Sequence, residues 1–369
     1  MRILLTIGTR PEAIKMAPLV RALQSRPEGI DVRVCLTGQH RDLLEQVLRV
    51  FSLPVHHDLK VMRPGQTIHD VTTSVLTGMR DVLDAERPDV LMVHGDTTTT
   101  FAAALAGFYA QVPVGHVEAG LRTGRRYEPF PEELNRVMAD ALSTHLYAAT
   151  EGARRALLAE GRRDGDIHVT GNTVIDALLE VAARDYQFAD PLLESLGQSR
   201  RLLLITAHRR ESFGEPFERI CAALREVVES NPDVEALYPV HPNPHVQHTV
   251  RQTLGDIPRL HLVEPLEYLP FVHLLKKSHL VITDSGGIQE EAPALHKPVV
   301  VMREVTERAE AVEAGAAFLA GTQTEDIVAQ CQRLLHEPAA YASAAAAPSP
   351  FGDGLAASRI AAHLASLAQ

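Results

Sequence analysis

The feature that most constrains this chain is an alternation. Short apolar runs, closed by Gly, Pro or polar turns, recur between longer segments of helical periodicity, which is the pattern of successive βαβ units. The runs are continuously apolar rather than alternating, as strands buried on both faces of a parallel sheet must be. The predicted strands are 3–7, 32–37, 90–93, 114–117, 146–148 and 167–169, followed by a second series at 202–206, 235–239, 260–263, 280–283 and 299–302. Two series predict an α/β chain with two Rossmann-like domains, at residues 1–172 and 201–350. A junction is expected at 173–200, where Asp190-Pro191 and Gly197 interrupt a helical pattern. Residues 351–369 read as a last helix that packs back on the N-terminal domain. With 369 residues, the chain is long enough to bury two such cores without metal or disulfide support.

The two series begin alike. Residues 2–10 and 201–209 each form a strand that ends in a turn bearing a cation, Arg10 in the first case and His208 with Arg209 in the second. Two ordinary buried first strands would look the same. In open parallel sheets, ligands bind beyond the carboxyl ends of the strands, so both basic turns are expected to face a shared cleft between the domains.

Charge narrows the ligand. Lys plus Arg is 36 and Asp plus Glu is 47, a net charge of −11, which argues against a general nucleic-acid binder or a membrane-surface protein. An anionic ligand must therefore meet a local basic cluster. Aromatic residues are 5% and Trp is absent, so stacking platforms are not expected. Cys35, Cys221 and Cys331 are too scattered for a disulfide framework or a metal motif, and fit a reducing cytoplasm. The N-terminal apolar run stops at Gly8, too short for a signal peptide, and no apolar stretch reaches the roughly 18 residues of a membrane span.

Several strand ends carry chemistry. Gly8-Thr9-Arg10-Pro11-Glu12-Ala13-Ile14-Lys15 opens a helix after a strand, and Pro11 suits a first helical turn. Such a helix N-terminus with Arg10 and Lys15 beside it is a good anion site, although a capped helix with surface cations has the same spacing. Ser285-Gly286-Gly287 after strand 280–283 lets backbone N–H groups approach a phosphate, with Glu291 one turn on, within reach of ribose hydroxyls. A plain strand-to-helix turn also fits. Asp96 and Glu118 follow strands, and Glu132 with Glu133 begins a helix, where capping is the simpler reading. His208-Arg209-Arg210 suits a diphosphate. His241 and His245 have an HxxxH spacing, but intervening prolines keep them off one helix face, and no metal is expected. His56-His57 reads as surface polarity. Neither a P-loop nor GxGxxG is present, and no cofactor is expected.

Taken together, these stretches resemble the non-hydrolysing UDP-N-acetylglucosamine 2-epimerases of bacteria. The matching segments include GTRPEAIKMAPL from Gly8, HGDTTTT from His94, PVGHVEAGLRTG from Pro113, PFPEELNR from Pro129, HRRESFG from His208, EYLPF from Glu267 and TDSGGIQEEAP from Thr283. The likeness covers nearly the whole chain. It implies a glycosyltransferase-B-like fold, a homodimer, and reversible inversion at C2 between UDP-GlcNAc and UDP-ManNAc for envelope polysaccharide synthesis. Carried over by motif, Arg10, Lys15, His208, Phe271, Ser285, Gly286, Gly287, Glu291 and Arg308 are expected at the nucleotide and diphosphate. Asp96, Glu118 and Glu132 are expected around the sugar, with His208 at the departing phosphate. Gln39 and His40 correspond to an activating second UDP-GlcNAc site in relatives, while Gly65 stands where some of them carry arginine. Leu266 replaces a polar residue of close relatives.

The implied chemistry has a physical logic. The C2 proton of the sugar is not adjacent to a carbonyl, so a carboxylate cannot simply remove it. Loss of UDP first places positive charge at C1 and acidifies C2–H, giving 2-acetamidoglucal, to which UDP adds back with protonation on the opposite face. Cations are needed for the leaving diphosphate and carboxylates for the sugar. A hydrolysing epimerase that releases ManNAc and UDP, or a transferase, remains the alternative.

Overall fold

The computed structural model describes residues 1–26, 29–38, 41–209 and 212–368. The chain divides into two compact units, one comprising residues 1–177 with 351–369 and the other residues 178–350.

Unit 1 is built on a seven-stranded sheet: β1 (Arg2–Ile7), β2 (Asp31–Leu36), β3 (His57–Asp58), β4 (Val90–His94), β5 (Val114–Ala119), β6 (His145–Ala148) and β7 (Ile167–Val169). Their order is β3-β2-β1-β4-β5-β6-β7, with every pair parallel. The central strands β4 and β5 are buried along their whole length, which explains why their sequence is apolar without alternation. Leu4, Leu91, Val93 and Val114 pack with Val75, Met79 and Ala103 from the helices on one face. Each large apolar side chain so buried contributes about 1.5–3 kcal/mol.

Unit 2 repeats the plan with six strands: β8 (Arg201–Thr206), β9 (Val234–Pro239), β10 (Leu260–Val263), β11 (Leu280–Thr283), β12 (Val299–Val301) and β13 (Ala317–Leu319). The order is β10-β9-β8-β11-β12-β13, again all parallel. Its core joins Leu203, Ile205, Tyr238 and Ile282 to Phe217, Leu224 and Leu334.

The expected two parallel sheets are thus present, with two strands that the sequence reading passed over. β3 has only two residues, His57 and Asp58, and β13 only three, both at sheet edges and too short to stand out as strands. His57 in β3 is more than surface polarity, because its Nε2 lies 2.6 Å from Glu86 Oε1. Residues 338–346, six of them alanine, form the helix Pro338–Ala346. The last helix, Ala356–Ser366, is capped by Asp176, whose carboxylate accepts from the N–H groups of Ala356 and Ala357 at 3.2 and 2.8 Å. This helix packs on Arg10–Gln24 within unit 1.

In each unit the strand order reverses beside the first strand, between β1 and β4 and between β8 and β11. Crevices open at such switch points because the following helices depart to opposite faces of the sheet.

Candidate active site

In unit 1 the switch point gathers a charged cluster. β1 ends at Gly8, where a Cβ would lie 2.4 Å from Thr99 Oγ1, so only glycine allows this approach. Thr9 then caps the helix Arg10–Gln24 through a capping box with Glu12. The Glu12 carboxylate is buried and accepts from the N–H groups of Gly8 and Thr9 at 2.5 and 2.9 Å and from Thr97 Oγ1 at 2.5 Å. An internal carboxylate thus takes the N–H groups of Gly8 and Thr9, just before the helix Arg10–Gln24. Burial raises the Glu12 pKa against the effect of these bonds.

Arg10 is half-buried at the first turn of the same helix, and Lys15 lies one turn further in. Lys15 Nζ is ion-paired with Glu118 Oε2, rather than pointing at a separate basic patch. Asn172 Nδ2 donates to that same oxygen at 2.9 Å, and Arg136 stands 3.8 Å from Oε1. Burial opposes a charge on Glu118, but Lys15 and Arg136 outweigh it and hold the carboxyl well below the usual carboxylate range. His94 itself is buried and pushed down to about 3, chiefly by burial, so it is neutral at pH 7. Lys15 and Arg136 therefore supply the positive charge that keeps Glu118 ionised.

Asp96, beyond the end of β4, is ion-paired with Arg136, and its carbonyl accepts from Asn135 Nδ2 at 3.0 Å. Glu132 opens the helix Glu132–Leu142, one turn before Arg136 on the same face. Its Oε2 is buried without a hydrogen-bond partner, and burial followed by repulsion from Asp96 raises its pKa. Glu133 instead holds the neighbouring loop, accepting from Thr123 N at 3.1 Å and Gly124 N at 3.0 Å. The three expected carboxylates thus gather around one cation, Arg136, with the Glu118 carboxyl held well below the usual range and the Glu132 carboxyl pushed above it. Behind them His116 bridges Asp140 (2.6 Å) and the Gly95 carbonyl (2.7 Å), which fixes the turn between His94 and Asp96.

In unit 2 the second switch point holds the other expected residues. Asp284, fully buried after β11, accepts from the N–H groups of His208 and Arg209 at 2.6 and 2.7 Å. Its Oδ1 has no hydrogen-bond partner and lies 3.7 Å from His208 Nδ1. The His208 ring stacks on His241 with centroids 5.1 Å apart. Ser285 caps the helix Gly286–Ala294 without a side-chain bond, so its hydroxyl and the first N–H groups face outward from the helix end. Arg308 lies over Gly286, where a Cβ would approach its guanidinium to 3.1 Å, and its Nε donates to Glu290 at 2.8 Å. Gly287 is exposed beside them, and Glu291 is buried one turn on. Phe271 is half-buried early in the helix Tyr268–Lys277, which leaves β10 at the same edge of the sheet. Gln39, His40, Arg210 and Glu211 lie outside the described residues. His241 and His245 do not converge: His241 precedes the helix Pro244–Leu254, while His245 sits near Phe213.

The sequence reading missed Glu12 and Arg136. The Thr9-x-x-Glu12 spacing of a capping box and the Glu132 to Arg136 spacing of one helical turn were the available signals.

Both switch points of this α/β chain thus gather charged residues beyond the carboxyl ends of the strands. The family model for UDP-N-acetylglucosamine 2-epimerase matches residues 21–365. The UDP-N-acetylglucosamine 2-epimerase of Salmonella typhimurium strain LT2 is 50% identical, with 98% of this chain and 97% of that protein covered. That of Bacillus subtilis strain 168 is 48% identical over 98% of this chain and 94% of its own. The crystal structure of the Neisseria meningitidis UDP-GlcNAc 2-epimerase bound to UDP-GlcNAc has a TM-score of 0.92 and 43% identity, covering 99% of this chain and all of that one. The chain belongs to the UDP-N-acetylglucosamine 2-epimerase family, and it is an isomerase.

Proposed function

We propose that the protein interconverts UDP-GlcNAc and UDP-ManNAc by elimination and re-addition of UDP, without net hydrolysis. The feature that carries this reading is the gathering of Asp96, Glu118 and Glu132 around Arg136, with the pKa of Glu118 lowered and that of Glu132 raised. Two carboxyl groups driven apart in this way suit a fixed negative charge and a proton carrier.

In this scheme the C1–O bond breaks and UDP departs with the bonding pair, held by His208, Arg308 and the Ser285–Gly287 helix end. Glu118 and Asp96 offset the positive charge that develops at C1. The C2 proton passes to a carboxylate, leaving 2-acetamidoglucal. Glu132, half-buried with an unpartnered oxygen, is the group best placed by its environment to exchange that proton. UDP then adds to C1 while a proton arrives on the other face of C2. Arg10, Lys15, Phe271 and Glu291 serve the bound nucleotide sugar, Lys15 through Glu118.

The same reading includes a homodimer and a cytoplasmic location. Exposed Phe108 and Tyr109, at the end of the helix Thr98–Tyr109, offer an apolar patch suited to a second copy. Three buried free thiols suit a reducing compartment. No described helix is long and apolar enough to cross a membrane.

Incubation of the purified protein with UDP-GlcNAc alone tests the reading. UDP-ManNAc is the expected product. Free ManNAc with UDP would make it a hydrolysing enzyme, and unchanged substrate would favour a transferase awaiting an acceptor.

A further inference from the structure

Away from the carboxylate cluster, three imidazoles meet beneath the last helix. His145 opens β6, His168 is central in β7, and His363 belongs to the helix Ala356–Ser366. The strand period places His145 on the same sheet face as Tyr147. The parallel register puts His168 opposite Tyr147, so all three side chains share the face that the helix covers. One ring nitrogen from each histidine lies within 4.8 Å of the others, and no other such trio occurs among the described residues. The His168 and His363 rings have centroids only 3.8 Å apart, and that of His145 is 5.2 Å from His363.

Packing alone explains this poorly. His168 Nε2 is buried with no hydrogen-bond partner, a cost that an apolar ring in the same place would not carry. Three imidazole nitrogens within 4.8 Å of one another are the donor set that a borderline-soft cation accepts.

We propose that His145, His168 and His363 form a binding site for a divalent metal ion of the zinc class, which pins the C-terminal helix to the β6–β7 edge of unit 1. Bonds of about 2.1 Å in a tetrahedral arrangement set nitrogens ~3.4 Å apart, so binding draws the nitrogens in from 4.8 Å by side-chain rotations that unstack the His168 and His363 rings. Tyr147 Oη lies 2.9 Å from His363 Nδ1. As an acceptor from that N–H, it leaves His363 Nε2 unprotonated for the metal and fixes the ring, the usual task of a residue behind a ligand. Each histidine is only partly buried, so water completes the coordination. The ligands are 145, 168 and 363 in sequence, and no motif spacing could have revealed them.

The test uses tag-free full-length protein stripped with a chelator and titrated with Co²⁺, then Zn²⁺. The expected result is one ion per chain, with the intense visible band of tetrahedral Co²⁺, bleached by Zn²⁺, and a higher melting temperature with Zn²⁺. His168→Ala and His363→Ala should each weaken binding at least tenfold, and Tyr147→Phe by about tenfold. Far-UV circular dichroism of the metal-free variants, with His168→Asn as a gentler second substitution, separates lost ligation from lost folding. Absence of saturable binding near one equivalent overturns the proposal. So does equal binding by a folded His145→Ala/His168→Ala double variant, which would mark the uptake as adventitious surface binding.

Discussion

Lys15 Nζ is ion-paired with Glu118 Oε2, tying the helix that follows β1 to the end of β5. Both groups are largely withdrawn from water, with side chains 15% and 8% exposed. Glu118 also holds a left-handed backbone, φ 66°, which a residue with a Cβ adopts at a cost of order 1 kcal/mol. The pair helps keep that conformation in place.

Replacing Lys15 with Met leaves Glu118 buried with less counter-charge. Breaking a buried pair from one side costs about 3 kcal/mol, so denaturant unfolding of Lys15→Met should show a loss of that order. Adding Glu118→Gln should restore part of the stability, because the orphaned charge goes, while activity stays low. No recovery in the double variant would mean that Lys15 contributes through packing instead.

Asp284 supports the His208 turn with one oxygen, Oδ2, which accepts both N–H groups. Asn can present an equivalent oxygen, whereas Ala leaves two N–H groups without it. Asp284→Ala should therefore destabilise by about 2–4 kcal/mol and raise KM, and Asp284→Asn should cost clearly less. Thermal unfolding alongside steady-state kinetics measures both.

Gly286→Ala sets a methyl 3.1 Å from the Arg308 guanidinium. The Arg308 guanidinium must give by a few tenths of an ångström, so KM for UDP-GlcNAc should rise by about two- to fivefold with little change in melting temperature. A normal KM would remove Arg308 from the diphosphate.

His94 predicts an acid-sensitive fold. Its imidazole titrates at about 3 in the native state against 6.5 when unperturbed, mainly through burial. Between those values the unfolded chain binds a proton that the native chain does not, so stability rises with pH across the window. The contribution is complete above about pH 6.5 and is lost as pH falls toward 3. His279 and His363, both lowered to about 4, act in the same direction. His94→Gln should flatten the slope of unfolding free energy between pH 6.5 and 4.5 relative to the parent. An unchanged slope would show that His94 is not the group responsible.

Much of this was legible in the sequence, for physical reasons. Buried parallel strands announce themselves as apolar runs, so β1, β4, β8 and β11, which frame the switch points, stood out along with the residues after them. Short edge strands such as β3 and β13 do not, because two or three residues are too few to form a recognisable run. Asp96, Glu118 and Glu132 were visible as strand-end or helix-start acids, yet the different surroundings of Glu118 and Glu132 were not. That difference depends on Lys15 and Arg136, which are brought to Glu118 from 103 and 18 residues away. The occupation of the first helix start by Glu12 turned on a side chain folding back over its own cap, and the histidine trio on a helix returning from the far end of the chain.

Epimerisation in heavy water tests the central claim most directly. If the C2 proton is removed and replaced during elimination and re-addition, UDP-ManNAc formed from UDP-GlcNAc carries deuterium at C2, and Glu132→Gln slows its formation by about 10²–10⁴. Product that retains the original hydrogen at C2 would contradict the account.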